Sequence, residues 1–222
     1  MATVRPKALV LGGSGFVGRA ICRRLVQKNF KVISVSRRGR PTDFLSSSTL
    51  HGGQRWCRHV DWVKGDAHKP ETYSSLLNEC SAVVHSVGII NESPAYKQLF
   101  DRGATPQDDE QLRNFEAINR DTAILLAAAA DAAPNVDTFV YVSAATLPSP
   151  VAATKVIDDR YLSSKREAEA TILSRARAQA ASTGTGEGYR AVVLRPGFMV
   201  SEDRLHTTLI GSALVRRRMD WL

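Results

Sequence analysis

Only three cysteines occur in the 222 residues, Cys22, Cys57 and Cys80, and no two of them form a C-x-x-C pair. With no histidine cluster beside them, they predict neither a zinc site nor a disulfide framework, and no metal is expected. Free buried thiols in a reducing compartment are the reading that remains. Aromatic residues make up 7% of the chain and are not interleaved with any basic helix, so nucleic acid is not an expected partner. No apolar run reaches the ~20 residues of a membrane span. The nearest stretch, around residues 124–133, is alanine-rich and broken by Asp131 and Pro134. The few residues ahead of the first apolar run leave no room for a cleavable presequence. Acidic residues are also in short supply. Lys and Arg number 30 against 22 Asp and Glu, a net charge of +8 that favours anionic cofactors, lipid headgroups or an acidic partner surface.

What the chain has is alternation. Apolar strands are expected at residues 8–11, 31–36, 60–63, 81–85, 138–142 and 190–194. Helices are expected from Phe16 through at least Leu25 and at 71–78, 115–133 and 161–181, with polar loops between, including a charged insertion at 91–110 and a long loop to about Arg55. Strands with near-continuous apolar character, separated by helices, predict an α/β fold with a parallel sheet covered on both faces. Ligands of such sheets bind at the carboxyl ends of the strands.

The first strand ends in Gly12-Gly13-Ser14-Gly15-Phe16-Val17-Gly18, which fits G-x-G-x-x-G between a strand and a helix. In that context the free amides and positive dipole end of the helix would face a pyrophosphate. The plain alternative is a glycine turn that only packs a βα unit. At the end of the second strand, where an acidic residue would hold a ribose 2′-OH, the chain reads Ser36-Arg37-Arg38. The planar fork of arginine suits a 2′-phosphate, so NADP(H) is favoured over NAD(H). A solvated basic turn is the alternative. Tyr161 and Lys165 stand one helical turn apart at the start of a helix. An ammonium beside a phenol lowers the phenol's pKa, so such a pair can pass a proton to or from a substrate oxygen. Glu167 and Glu169, in the same helix, read as a solvated face. His85 lies within a strand and reads as a core or cofactor-lining residue.

Taken in order, Gly13-x-Gly15-x-x-Gly18, Gly65-Asp66, residues 84–88 (VHSVG), Asn119, Val142-Ser143, Tyr161-x-x-x-Lys165 and residues 194–197 (LRPG) resemble the short-chain dehydrogenase/reductase superfamily. The likeness covers nearly the whole chain and is greater to the extended, NAD-dependent epimerase/dehydratase-like branches. It implies a Rossmann-type doubly wound sheet. It implies cofactor contacts from Asp66 and Ala67, from Ser86, Val87 and Gly88, and from Pro196 and Gly197, with Lys165 on the nicotinamide ribose. It further implies catalytic roles for Tyr161, Lys165, Ser143 and Asn119.

Longer strings at 83–89, 161–169 and 194–199 resemble a fungal mitochondrial branch associated with the coenzyme Q biosynthetic complex, related to the NADPH-binding accessory subunit of respiratory complex I. That likeness implies protein partners in a mitochondrial assembly, on the matrix side of the inner membrane, with peripheral contact to an anionic membrane.

The expected reading is therefore an NADP(H)-binding oxidoreductase. A non-catalytic subunit that holds NADPH is the alternative, and a nucleotide-sugar epimerase or dehydratase comes third. Two departures bear on it. Ala144 stands where the family usually has a catalytic Ser or Thr, with Ser143 or Thr146 as substitutes. Residues 199–222 would only begin the substrate lobe that follows a binding domain at 1–198.

Overall fold

The computed structural model describes residues 5–41, 52–92, 114–146, 157–182, 188–197 and 199. The expected insertion at 91–110 and the start of a C-terminal lobe at 199–222 lie almost wholly outside them. The elements run β1 (Lys7–Leu11), α1 (Phe16–Gln27), β2 (Lys31–Ser36), β3 (Val60–Lys64), α2 (Ser74–Leu77), β4 (Ala82–His85), α3 (Thr122–Asp131), β5 (Thr138–Val142), α4 (Asp159–Ser182) and β6 (Arg190–Leu194). The six strands form one sheet in the order β3-β2-β1-β4-β5-β6, every pairing parallel. This is the doubly wound order, in which the winding direction reverses between β1 and β4 and opens a crevice there.

Side-chain alternation along the strands assigns the two faces. Leu9, Leu11, Ile33, Val35, Val83 and Phe139 face a core completed by α2, α3 and α4, through Leu77, Leu126, Ala127, Ala168 and Ile172. Val10, Val32, Val60 and Val84 face the other way, against Ile21, Leu25 and Val26 of α1 and Trp56 and Trp62. Alanines at 123, 127 and 130 are fully buried, which lets α3 lie close on the sheet.

Three expectations from the sequence change. The segment at 52–59, expected to begin in loop, is 3₁₀-helical and packs Trp56 beside Trp62 at a ring-centroid separation of 6.2 Å. The helix expected at 71–78 is a 3₁₀ turn at Pro70–Thr72 followed by the single turn of α2. The long helix expected from 115 opens with a π-helical turn at Glu116–Asp121 before α3. Among the described residues no helix is long and apolar enough to cross a membrane. The three cysteines are buried free thiols, as expected.

Candidate functional site

Every loop that carries a sequence-predicted site residue leaves the same edge of the sheet, the carboxyl ends of the strands. At its centre, Gly12 takes φ +87°, and a Cβ there would meet the Val87 side chain at 2.9 Å. Only glycine combines that backbone with that contact. The amide of Gly15 donates to the Gly12 carbonyl at 2.9 Å and closes the turn. Gly15 is then the N-cap of α1, in extended conformation, with no side-chain cap and no acidic residue in the first turn. The first amides of a helix have no intrahelical acceptor, so this terminus fits a phosphate. Gly18 lets the helix sit on the turn, since a Cβ would come within 2.7 Å of the Gly13 Cα. Beneath, a Cβ on Gly13 would lie 3.0 Å from the Cys22 sulfur. Ser14 accepts from the Arg19 guanidinium at 2.8 Å, which braces the turn.

Around this cradle stand the other expected cofactor residues. Arg37 and Arg38 are exposed beyond β2, while the Ser36 hydroxyl donates to Gly39 O at 3.1 Å and caps that turn. Asp66 turns its carboxylate to the amide of His68 at 3.0 Å, and Ala67 packs against the core. The Ser86 amide and hydroxyl both donate to Leu11 O at 2.9 Å, tying the end of β4 to the end of β1. Pro196 O accepts from the Ala145 amide at 2.8 Å, and Gly197 is exposed with open space around its Cα.

The expected catalytic residues Tyr161 and Lys165 stand on α4. Tyr161 is half-buried in its first turn, with the Phe115 ring edge-on at 6.0 Å. Lys165 is 4% exposed. Its ammonium donates to Val142 O at 3.1 Å, lies 5.1 Å from the Tyr141 ring centroid, and would sit 3.0 Å from a Cβ on Gly88. Burial lowers the Lys165 pKa to about 8, against the opposing pull of Glu169. Asn119 is buried in the π-turn. Its amide donates to Ile89 O at 3.0 Å, and its Oδ1 accepts the Ile89 amide at 2.8 Å, which pins the segment after Gly88. The Asn119 carbonyl accepts the Tyr141 hydroxyl at 2.9 Å. π-turns inside helices are rare and concentrate at functional sites.

His85 is a core residue. Thr122 donates its hydroxyl to Ile118 O, so His85 Nε2 donates to Thr122 Oγ1 at 2.9 Å. Burial and the Lys165 charge hold its pKa well below the usual value, so it stays neutral.

Two things were missed. A cleft of about 460 Å³ opens beside Phe115, rimmed by Glu92, Asp158 and Asp159. Glu169 is buried, not part of a solvated face. It accepts the Ser143 hydroxyl, takes Arg195 on both oxygens (Nε to Oε1 at 3.1 Å, Nη2 to Oε2 at 2.5 Å) and binds Arg166 at 2.6 Å. Burial raises its pKa, but the bonds from Arg195 and Ser143 and both arginine charges outweigh this, and the net shift is downward. Glu167 does face solvent, where it pairs with Arg120. The Ser143 hydroxyl is therefore engaged with Glu169, and the Ala144 carbonyl accepts from Arg166 at 3.1 Å. Among the described residues no group of three or more His, Cys, Asp or Glu is placed to hold a metal.

A parallel doubly wound sheet with a glycine turn at its switch point defines a Rossmann-type fold of the dinucleotide-binding class. The chain belongs to the NAD dependent epimerase/dehydratase family, whose profile matches residues 8–219, and a nicotinamide dinucleotide is the cofactor that family implies. It is 31% identical to MIOREX complex component 2 of Saccharomyces cerevisiae, over 90% of this chain and 74% of that one. It is 28% identical to an uncharacterized chloroplastic protein of Arabidopsis thaliana, over 96% of this chain and 57% of that one. In fold it resembles vestitone reductase from alfalfa (TM-score 0.52, 19% identity, 86% of this chain and 56% of that one). It also resembles Pen from Bacillus thuringiensis (TM-score 0.54, 20% identity, 87% of this chain and 52% of that one). The chain thus spans about half the length of these solved structures.

Proposed function

We propose that the chain binds NADP(H) and uses Tyr161 and Lys165 to move a proton in a reduction, as part of a mitochondrial assembly linked to coenzyme Q. The observation that carries this reading is Lys165. A buried ammonium is costly unless it serves a partner, and this one lies against Gly88, at the rim where the strands release their loops. The residues fit the cofactor. The uncapped α1 terminus suits its pyrophosphate, and Arg37 and Arg38 suit a 2′-phosphate in the absence of any acidic residue there. When bound, the cofactor supplies a hydride. Lys165, by its charge, favours the Tyr161 phenolate and so tunes that hydroxyl to give or take a proton at a substrate oxygen. Asn119 holds Ile89 and with it the position of Gly88. Ser143 acts on this site through Glu169.

The assembly part rests on the identity to a relative named as a complex component, and the coenzyme Q, matrix-side and membrane-contact parts rest on the string resemblances at 83–89, 161–169 and 194–199. Net charge +8 supports contact with an anionic surface.

Tyr161→Phe tests the proton role. It is expected to leave the NADPH Kd within about threefold and to lower turnover by about 10²–10⁴-fold. The readout is quinone content in cells that depend on the protein. Ala144 and the engaged Ser143 hydroxyl favour a second reading, in which the cofactor is held for stability only. Normal quinone content with Tyr161→Phe would select that reading over the first.

Cofactor choice has its own test. Replacing Arg37 and Arg38 together by serine is expected to weaken NADPH about 10- to 100-fold, the worth of one or two charged hydrogen bonds, and to leave NADH nearly unchanged. Equal losses for both dinucleotides in titration calorimetry would remove the 2′-phosphate assignment.

A further inference from the structure

Four consecutive residues, the last of β5 and the three after it, are each tied to another element. Val142 O accepts Lys165 from α4. The Ser143 amide donates to Leu194 O at 2.8 Å, and its hydroxyl to Glu169. Ala144 O accepts Arg166. The Ala145 amide donates to Pro196 O. One side chain touches all three elements of this junction. Glu169 reaches across from α4, takes the hydroxyl of Ser143 after β5, and binds the guanidinium of Arg195 after β6 through both carboxylate oxygens. The carboxylate is buried, with its side chain 5% exposed, while Arg195 comes in from the surface at 52%. A carboxylate taken out of water is stable only with its partners in place, and loss of one partner strands the rest.

We infer that Glu169 is a positioning residue that fixes the Arg195–Gly197 segment and the end of β5 to the Tyr161–Lys165 helix, and so assembles the nicotinamide half of the cofactor site. This rests on the dinucleotide reading above. The phosphate cradle is built by β1, α1 and the loop after β4, none of which Glu169 touches. The two halves of the site therefore have separate supports. Arg195 is thereby a positioning residue too, acting through Glu169. The carboxylate also faces Lys165 one turn earlier on the same helix and opposes the loss of its proton.

The test compares a whole dinucleotide with its adenosine half. Glu169→Gln keeps the size and removes the charge that holds Arg195 and Arg166. It is expected to weaken NADPH about tenfold and to leave adenosine 2′,5′-bisphosphate within twofold. Arg195→Gln, which alters a surface-exposed side chain, is expected to give the same split and serves should the Glu169 variant not fold. Glu169→Asp, which keeps the charge, is expected to recover part of the loss. Equal weakening of both probes, or no weakening of NADPH, would overturn the inference. Wild-type protein that binds neither NADPH, NADH nor the bisphosphate would instead overturn the cofactor reading on which it rests.

Discussion

Gly15→Asp is expected to abolish dinucleotide binding while leaving the fold as stable as before. Gly15 is the N-cap of α1, with φ −75° and ψ 174°, a conformation that aspartate adopts readily. Aspartate is among the preferred N-cap residues, and its carboxylate would accept from the same amides that suit a phosphate. A Cβ at this position meets the Gly12 carbonyl oxygen at 3.2 Å, which is tight but asks for a shift of only a few tenths of an ångström. The helix thus gains a cap and the ligand loses its site to a fixed negative charge. The expected loss in NADPH affinity is at least 100-fold, about 2.7 kcal/mol. Thermal unfolding of the unliganded protein should change by no more than a few degrees. A variant that binds NADPH within threefold of wild type would show that the turn is only a packing device.

Lys165→Met is expected to do the reverse of an ordinary site mutation: to stabilise the protein and disable it. The folded-state pKa of Lys165 is about 8, below its ordinary 10.5, because the ammonium is buried. The sign follows from proton binding. Below pH 8 the group is charged in both states, and the cost of burying that charge is present in full. Between about 8 and 10.5 the unfolded chain binds more protons than the folded one, so stability rises with pH across that window. A gap of this size is worth about 3 kcal/mol. Methionine removes it but leaves the Val142 carbonyl without its donor, at about 1 kcal/mol. A net gain of about 2 kcal/mol at pH 7 is expected in urea unfolding, together with loss of the rise in stability between pH 8 and 10.5. A variant less stable than wild type at pH 7 would contradict the buried-charge account. Stability lowered for the sake of a functional group is common at active sites.

The sheet was legible because its strands are apolar on both faces. The runs at 8–11 and 138–142 can be buried in little else, and the structure extends β1 by one residue at Lys7 while matching 138–142 and the half-buried edge strand at 190–194. The glycine cradle was legible because its spacing is local. Glu169 was not, and the reason is physical. Its helix carries charge on most of its turns, so no periodicity distinguishes the buried side from the wet one. Its decisive partner, Arg195, lies 26 positions away and meets it only after β6 has paired with β5. The π-turn at Glu116–Asp121 was hidden for the same reason. Nothing in residues 116–121 asks for a wider turn. The Asn119 amide, held at both ends by Ile89, supplies a tertiary constraint at that point. The 3₁₀ segment at 52–59 escaped because its glycines and arginines read as loop, whereas the Trp56–Trp62 contact and the Trp62 indole's bond to Cys57 O at 2.9 Å order it.

The sulfur beneath Gly13 turns the phosphate cradle into its own clock. Cys22 has no exposed surface, and burial lifts its thiol pKa to about 12, so the folded protein offers almost no thiolate to an alkylating reagent. Modification then waits for the turn to lift off the helix, and the labelling rate counts those openings. A ligand seated on the turn should slow the count in proportion to its occupancy. Peptide mapping would separate Cys22 from Cys57 and Cys80, so a single unmodified chain can report both how often its cradle breathes and how firmly a nucleotide holds it shut.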